Sequence, residues 1–219
     1  METHRKIDAF RIEELEDFYS TVKDAIEARL AEFRMIWETA SEEELFLELI
    51  FCLLTPQSKA KICWKAVQRL TSKGLIQGSE PCHIREELVG VRFNKRKAEY
   101  ICLARERFFK ESIRGTLAGF SDPVLAREWL VENVKGLGYK EASHFLRNIG
   151  LGEDLAILDR HILKNLVLLG VIKEVPSSLS KRIYLDIEKK MAAFSRQVKI
   201  PMGHLDLLLW CKETGEIFK

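Results

Sequence analysis

The chain has 219 residues, 47% of them apolar and 31% charged, enough to bury a substantial core in one domain or two closely packed lobes. No stretch approaches the roughly eighteen consecutive apolar residues of a membrane span, and the acidic, helix-like N-terminus lacks a signal peptide's charged-then-apolar order, so a soluble, cytoplasmic protein without a membrane partner is expected. The net charge of +2 hides an asymmetry: residues 1–50 carry 14 acidic and 6 basic side chains (−8), against 19 acidic and 29 basic (+10) over residues 51–219.

Every long segment repeats its apolar residues at helical rather than alternating spacing, and the fold reads as all-α. Leu15, Phe18, Tyr19, Val22, Ile26, Leu30 and Phe33 trace one face of a long first helix. Ser41 followed by Glu44 is a capping box opening a second helix, which Pro56 breaks. Further helices are predicted at about 58–70, 84–89 and 95–109. Residues 92–110 hold the densest basic run, with Arg92, Lys95, Arg96, Lys97, Arg105, Arg107 and Lys110 against only Glu99 and Glu106. Such a run is either a solvated helix face or a phosphate-contact surface. Asp122-Pro123 reads as an N-cap with proline in the first turn, followed by Leu125, Trp129, Leu130 and Val134 as an apolar face. After residue 150, Asp159 caps a helix over 160–169. Leu179, Ile183, Ile187, Met191 and Phe194 mark the next, and 202–211 forms the last before a tail, 212–219.

Cys52, Cys63, Cys82, Cys102 and Cys211 form no C-x-x-C pair, so neither a zinc site nor a cysteine-ligated iron–sulfur cluster is supported, and they read as reduced thiols. His144 and His161 lie near the most informative segment and could contact DNA, but lone histidines more often have structural or incidental roles. Glutamine and asparagine are scarce, a weak lean towards a thermophilic source.

That segment is Val134-Lys135-Gly136-Leu137-Gly138-Tyr139, lying between two helical patterns and followed directly by Lys140. Gly136 and Gly138 can both take positive φ, turning the chain sharply and aiming amide N–H groups at a phosphate. An amine at a helix start is set against that end's partial positive charge, which suits a nucleophile better than a bystander. At about 100° per residue, Ala142, Phe145, Leu146 and Ile149 fall away from Lys140, leaving the lysine off the buried stripe. Asp159 follows nineteen positions later.

The run from Val134 through Lys140 to Asn148, continuing to Leu155-Ala156-Ile157-Leu158-Asp159-Arg160-His161, resembles the helix-hairpin-helix/Gly-Pro-Asp superfamily of DNA glycosylases. More narrowly, almost the whole chain is similar to the small type-2 archaeal and bacterial 8-oxoguanine DNA glycosylase/lyases. Phe93 with Lys95-Arg96-Lys97-Ala98-Glu99-Tyr100-Ile101, Leu205-Asp206-Leu207 before Trp210, and the ending Thr214-Gly215-Glu216-Ile217-Phe218-Lys219 extend the likeness. Lys135 stands where the superfamily commonly has proline, and Leu158 where it often has proline or valine, neither being a reacting group. Leu54-Thr55-Pro56-Gln57-Ser58 departs from the usual type-2 forms. The missing cluster cysteines argue against an ordinary endonuclease III or adenine glycosylase.

The resemblance implies two helical lobes flanking a DNA-binding cleft, within one glycosylase domain spanning 1–219. Lobe A covers about 54–134, the hairpin motif about 123–149, and lobe B about 1–53 plus 150–219. It implies base-excision repair of duplex DNA containing 8-oxoguanine by a monomer. Lys140 attacks C1′ and forms a Schiff base leading to β-elimination, and Asp159 stabilises positive charge at the sugar and assists proton transfer. Lys219, Trp210, Asp206 and Phe93 are expected to recognise the base, although core packing competes for Trp210 and Phe93. Gly136, Gly138, Lys135, Arg96 and Lys97 are expected on the DNA backbone, and Gln57 and Ser58 near the lesion or opposite strand. No redox cofactor and no side-chain metal site is expected, and a structural cation on hairpin carbonyls is the one ion the superfamily adds. A same-fold glycosylase for another oxidised base, or a non-catalytic hairpin DNA-binding protein, are the competing readings.

Overall fold

The computed structural model describes residues 9–219; Met1–Asp8, the start of the expected lobe B, lie outside the described residues. Eleven α-helices and no strand occur among them: α1 Ala9–Thr39, α2 Glu42–Leu54, α3 Ala60–Ser72, α4 Pro81–Glu87, α5 Asn94–Phe108, α6 Ile113–Ala118, α7 Pro123–Asn133, α8 Tyr139–Asn148, α9 Arg160–Leu168, α10 Lys181–Val198 and α11 Met202–Thr214. The chain forms two compact units, Arg34–Gly152 and a second made of residues up to Phe33 with Glu153–Lys219. The expected lobe boundaries at about 53/54 and 149/150 thus fall at 33/34 and 152/153. The cause is α2, which packs on α3, α5, α6 and α8 of the inserted unit.

Within the Arg34–Gly152 unit, α2 is apolar almost all round and correspondingly buried, with Leu45, Leu49, Ile50, Phe51, Cys52 and Leu54 excluded from solvent. It starts as its sequence dictates: Ser41 Oγ accepts from the Glu44 N–H at 3.2 Å, and Glu44 Oε2 accepts from the Ser41 N–H at 2.7 Å. Its far end is finished by a partner distant in sequence. Lys97 on α5 sends its ammonium to Leu54 O (2.7 Å), Pro56 O (2.7 Å) and Ser58 Oγ (3.2 Å), so three donors meet three acceptors. Lys97 is 3% exposed, and the expectation that it lies on the DNA backbone is thereby corrected: the α2 terminus consumes it. Burial pushes its pKa down from 10.5 to about 8.

The basic run is thinned elsewhere too. Arg105 donates to Ser79 O at 2.8 Å, and Arg107 lies over the Trp129 ring and donates to Asn133 O. Lys95 and Arg96 remain exposed.

The predicted cap of α7 forms, with Asp122 Oδ1 accepting from the Val124 N–H at 2.8 Å. Leu125, assigned to its apolar face, is 52% exposed; Ala126, Leu130 and a fully buried Arg127 pack inward instead. Arg127 lies over the Tyr139 ring and donates to Ser143 Oγ, while Tyr139 donates to Glu128, so α7 and α8 are cross-braced. Between them only Gly136 takes positive φ, +99°; Gly138 is at −95°, correcting the expectation of two left-handed glycines. A Cβ on Gly136 would also lie 2.4 Å from Cδ2 of Tyr100, because the hairpin backbone rests against that ring on α5.

In the second unit, Leu15, Ile26, Leu30 and Phe33 of α1 are buried, as their spacing predicted. There, α11 packs on α9 and α10. Leu179, assigned to the helical face of the 183–194 segment, instead precedes α10 and its Ser180 N-cap and is 37% exposed.

Two substitutions test this framework. Gly136→Ala combines a disfavoured φ with overlap of the Tyr100 ring and is expected to cost at least about 2–3 kcal/mol in urea unfolding. Lys97→Met takes the ammonium from the buried Leu54 and half-buried Pro56 carbonyls and leaves them only the Cys63 thiol at 3.1 Å and the Ser58 hydroxyl at 3.4 Å, an expected loss of about 1–3 kcal/mol. Because the folded pKa of Lys97 lies below the unfolded one, the native state sheds this proton first as pH rises through about 8, so the wild type gains stability towards pH 10 and the variant does not. The gap between wild type and Lys97→Met should therefore be wider at about pH 9.5 than at about pH 7.

Candidate functional site

The residues singled out from sequence fall into two sets, one in each compact unit. The Arg34–Gly152 unit holds Lys140, Gly136, Gly138, Lys135, Arg96, Phe93, Gln57 and Ser58; the other holds Asp159, Asp206, Trp210 and Lys219.

Lys140 opens the first turn of α8 with its side chain 20% exposed. Its Nζ donates to Thr55 Oγ1 at 3.3 Å and lies 3.9 Å from Glu141 Oε1. Thr55, the C-cap of α2, is buried and donates its own hydroxyl proton to Cys52 O at 2.9 Å. Glu141 uses its other oxygen to accept from the Gly138 N–H at 3.3 Å, the return half of a capping box whose first residue has no side chain. The hairpin amide expected to face phosphate is therefore already met by a carboxylate. Lys135 is exposed, and Arg96 is exposed one helical turn before Tyr100, on the side of α5 that meets the hairpin.

Two loops of this unit carry strained residues. Gln57 (φ +54°) and Phe93 (φ +58°) are both left-handed without being glycine, a conformation that costs on the order of 1–3 kcal/mol. Ser58 ties the loops together: its Oγ accepts from the Arg92 N–H at 3.0 Å and from Lys97. The core alternative for Phe93 is overturned, since the ring is 54% exposed beneath the Arg92 guanidinium. His144 is buried in α8, edge-on to Phe51 with ring centroids 5.5 Å apart, a packing position.

In the other unit Asp159 is the N-cap of α9, and Oδ1 alone accepts from both His161 N and Ile162 N at 2.8 Å. Oδ2 takes no part in the cap, so capping and chemistry are compatible in one carboxylate. The segment entering it is strapped to α10. The Tyr184 hydroxyl donates to Ala156 O at 2.5 Å, and Glu188 accepts from the Ala156 N–H at 2.9 Å. Glu213 fastens α11 to α9, accepting from Lys164 at 2.8 Å and Asn165 at 3.1 Å, with His161 Nδ1 3.7 Å away. The Lys164 hydrogen bond, foremost, holds the Glu213 carboxyl below its usual range. On α11, Asp206 is buried and Trp210, one turn on, is half-buried, as is Lys219 in the tail.

Thr55, Glu141, Tyr100, Tyr184 and Glu213 were not found from sequence. Only Glu141, three residues after a glycine at a helix start, carried a local signal. Among the described residues no three His, Cys, Asp or Glu side chains lie together to hold a metal, and no helix is long and apolar enough to cross a membrane. A cation at the hairpin would rest on backbone carbonyls.

Comparison with known proteins supplies the remaining evidence. A family model described as 8-oxoguanine DNA glycosylase matches residues 26–200. The 8-oxoguanine DNA glycosylase/AP lyase of Fusobacterium nucleatum is 48% identical, over 94% of this chain and 96% of its own length. That of Methanocaldococcus jannaschii is 41% identical over 95% and 98%. The crystal structure of the M. jannaschii 8-oxoguanine glycosylase/lyase with a 15mer DNA containing 8-oxoguanine superposes with a TM-score of 0.87 at 38% identity, covering 96% of this chain and all of that one. The Thermotoga maritima 8-oxoguanine DNA glycosylase gives 0.85 at 37% identity, covering 95% and 98%. With the match spanning the hairpin and the segment around Asp159, the chain belongs to the helix-hairpin-helix family of 8-oxoguanine DNA glycosylases.

Proposed function

We propose that this protein is a base-excision repair enzyme that releases 8-oxoguanine from duplex DNA and then cuts the strand at the abasic site, with Lys140 as nucleophile. The observation that carries the reading is an identity of 38–48%, over nearly the whole chain, to 8-oxoguanine DNA glycosylase/AP lyases of bacteria and archaea, in a chain that holds a lysine at a hairpin helix start. A target base inside a duplex is out of reach until it is extruded, at a cost of a few kcal/mol of stacking and pairing. Exposed, strained Gln57 and Phe93 suit that step, since a side chain projected from left-handed backbone is available to enter the stack. Trp210, with Asp206 one turn away, offers a π-face to the extruded base, and Lys219 a cation for its polar edge. Lys135, Arg96 and the hairpin backbone at Gly136 are assigned to backbone phosphates, the Gly138 amide being taken by Glu141.

In the chemical step the Lys140 amine bonds to C1′ as the glycosidic C–N bond breaks, the departing base taking the bonding pair and a proton. Opening of the sugar ring at O4′ gives the Schiff base. Loss of a C2′ proton then breaks the C3′–O bond and cuts the strand. Asp159 is assigned to stabilise the cationic sugar and to assist the proton transfers of the reaction. Side-chain groups suffice, and no redox cofactor enters.

Incubation with borohydride and a duplex carrying one 8-oxoguanine should yield a covalent protein–DNA adduct that Lys140→Gln abolishes while keeping DNA affinity. A chain ending at Phe218 should still trap a pre-formed abasic duplex but lose its preference for the oxidised base. Equal cleavage of thymine glycol by the wild type would contradict the specificity, and lesion-independent binding without any adduct would contradict the enzyme.

A further inference from the structure

We infer that Thr55 is a positioning residue for the Lys140 nucleophile, an inference that rests on the lysine mechanism proposed above. A threonine hydroxyl has one proton, and here it goes to Cys52 O at 2.9 Å, an atom that can only accept. Towards Lys140 Nζ, 3.3 Å away, Thr55 Oγ1 is therefore an acceptor only. A neutral amine giving one N–H to this oxygen keeps its lone pair on the other side of the nitrogen, directed away from the α2 terminus. A group of undefined donor sense would leave the amine free to turn the lone pair inward.

The pedestal is rigid for three reasons. Thr55 N–H bonds Cys52 O, Ser58 N–H bonds Thr55 O at 3.0 Å, and Lys97 grips the carbonyls of Leu54 and Pro56 on either side of it. Thr55 is 7% exposed, so water does not compete for its oxygen. The same Lys97 contacts keep the second lysine out of the reaction, because all three of its donors are engaged. The partners lie 85 residues apart in the chain, and no local motif announces the pair.

The test compares wild type, Thr55→Val, Thr55→Ser and Lys140→Gln in single-turnover base release and borohydride trapping on an 8-oxoguanine duplex. Affinity for a duplex holding a non-cleavable abasic analogue and the unfolding midpoint are measured alongside. Valine keeps the shape and removes the acceptor; serine keeps the acceptor and removes a methyl. Thr55→Val should slow the chemical step by about tenfold or more, with affinity within about twofold of wild type, and Thr55→Ser should restore most of the rate. A Thr55→Val enzyme as fast as wild type overturns the inference. So does a Thr55→Ser enzyme as slow as Thr55→Val with the rate tracking the unfolding midpoint, which would make the role one of packing. A wild type that forms no lesion-dependent adduct overturns the lysine mechanism itself, a different pattern, since the Thr55 variants then have no rate to lose.

Discussion

A single buried ammonium organises the end of α2 and the loops beside it in the Arg34–Gly152 unit. The end of α2 would otherwise leave the Leu54 and Pro56 carbonyls with only the weak Cys63 thiol donor and a 3.4 Å Ser58 hydroxyl, a cost of about 1–3 kcal/mol. Lys97 reaches them from α5 and in doing so joins the loop after α2 to the segment around Phe93. From that junction follow the fixed position of Thr55, the left-handed turn at Gln57 and the exposed setting of Phe93. The ammonium is held against a desolvation cost, which is why its pKa falls to about 8.

That constraint also separates the two lysines by availability. With a pKa of about 8, Lys97 would be neutral about a tenth of the time at pH 7, yet its donors are committed and its nitrogen is enclosed. Lys140 is partly exposed and meets one hydroxyl acceptor and one carboxylate at 3.9 Å. The proposed mechanism places reactivity on the amine that a substrate can reach. In the other unit the same economy operates on a carboxylate: Asp159 caps α9 with one oxygen, while Tyr184 and Glu188 hold the segment leading to it.

Much of this was legible before any coordinates. Ser41 with Glu44, Asp122 before Pro123, and Asp159 each announce a helix start through local chemistry, and each start is where it was read. Helical periodicity identified the long elements, but α6, six residues with one Ser112 cap, is too short to show a period. Lys140 and Asp159 were assigned from motif and spacing. What sequence could not reveal was the fate of side chains whose partners are far along the chain. Lys97 sits inside a basic run and reads as surface because its acceptors lie 39 to 43 residues away. Arg127 displaced Leu125 from the buried side of α7 because Tyr139 and Ser143 receive its guanidinium. Gly138 needed no positive φ because Gly136 alone makes the turn.

The most direct test of the central claim is to digest the borohydride-reduced protein–DNA adduct and locate the modified residue by mass spectrometry. A deoxyribose remnant is expected on Lys140, with the peptide containing Lys97 unmodified. A remnant on Lys97, or on any amine other than Lys140, would contradict it.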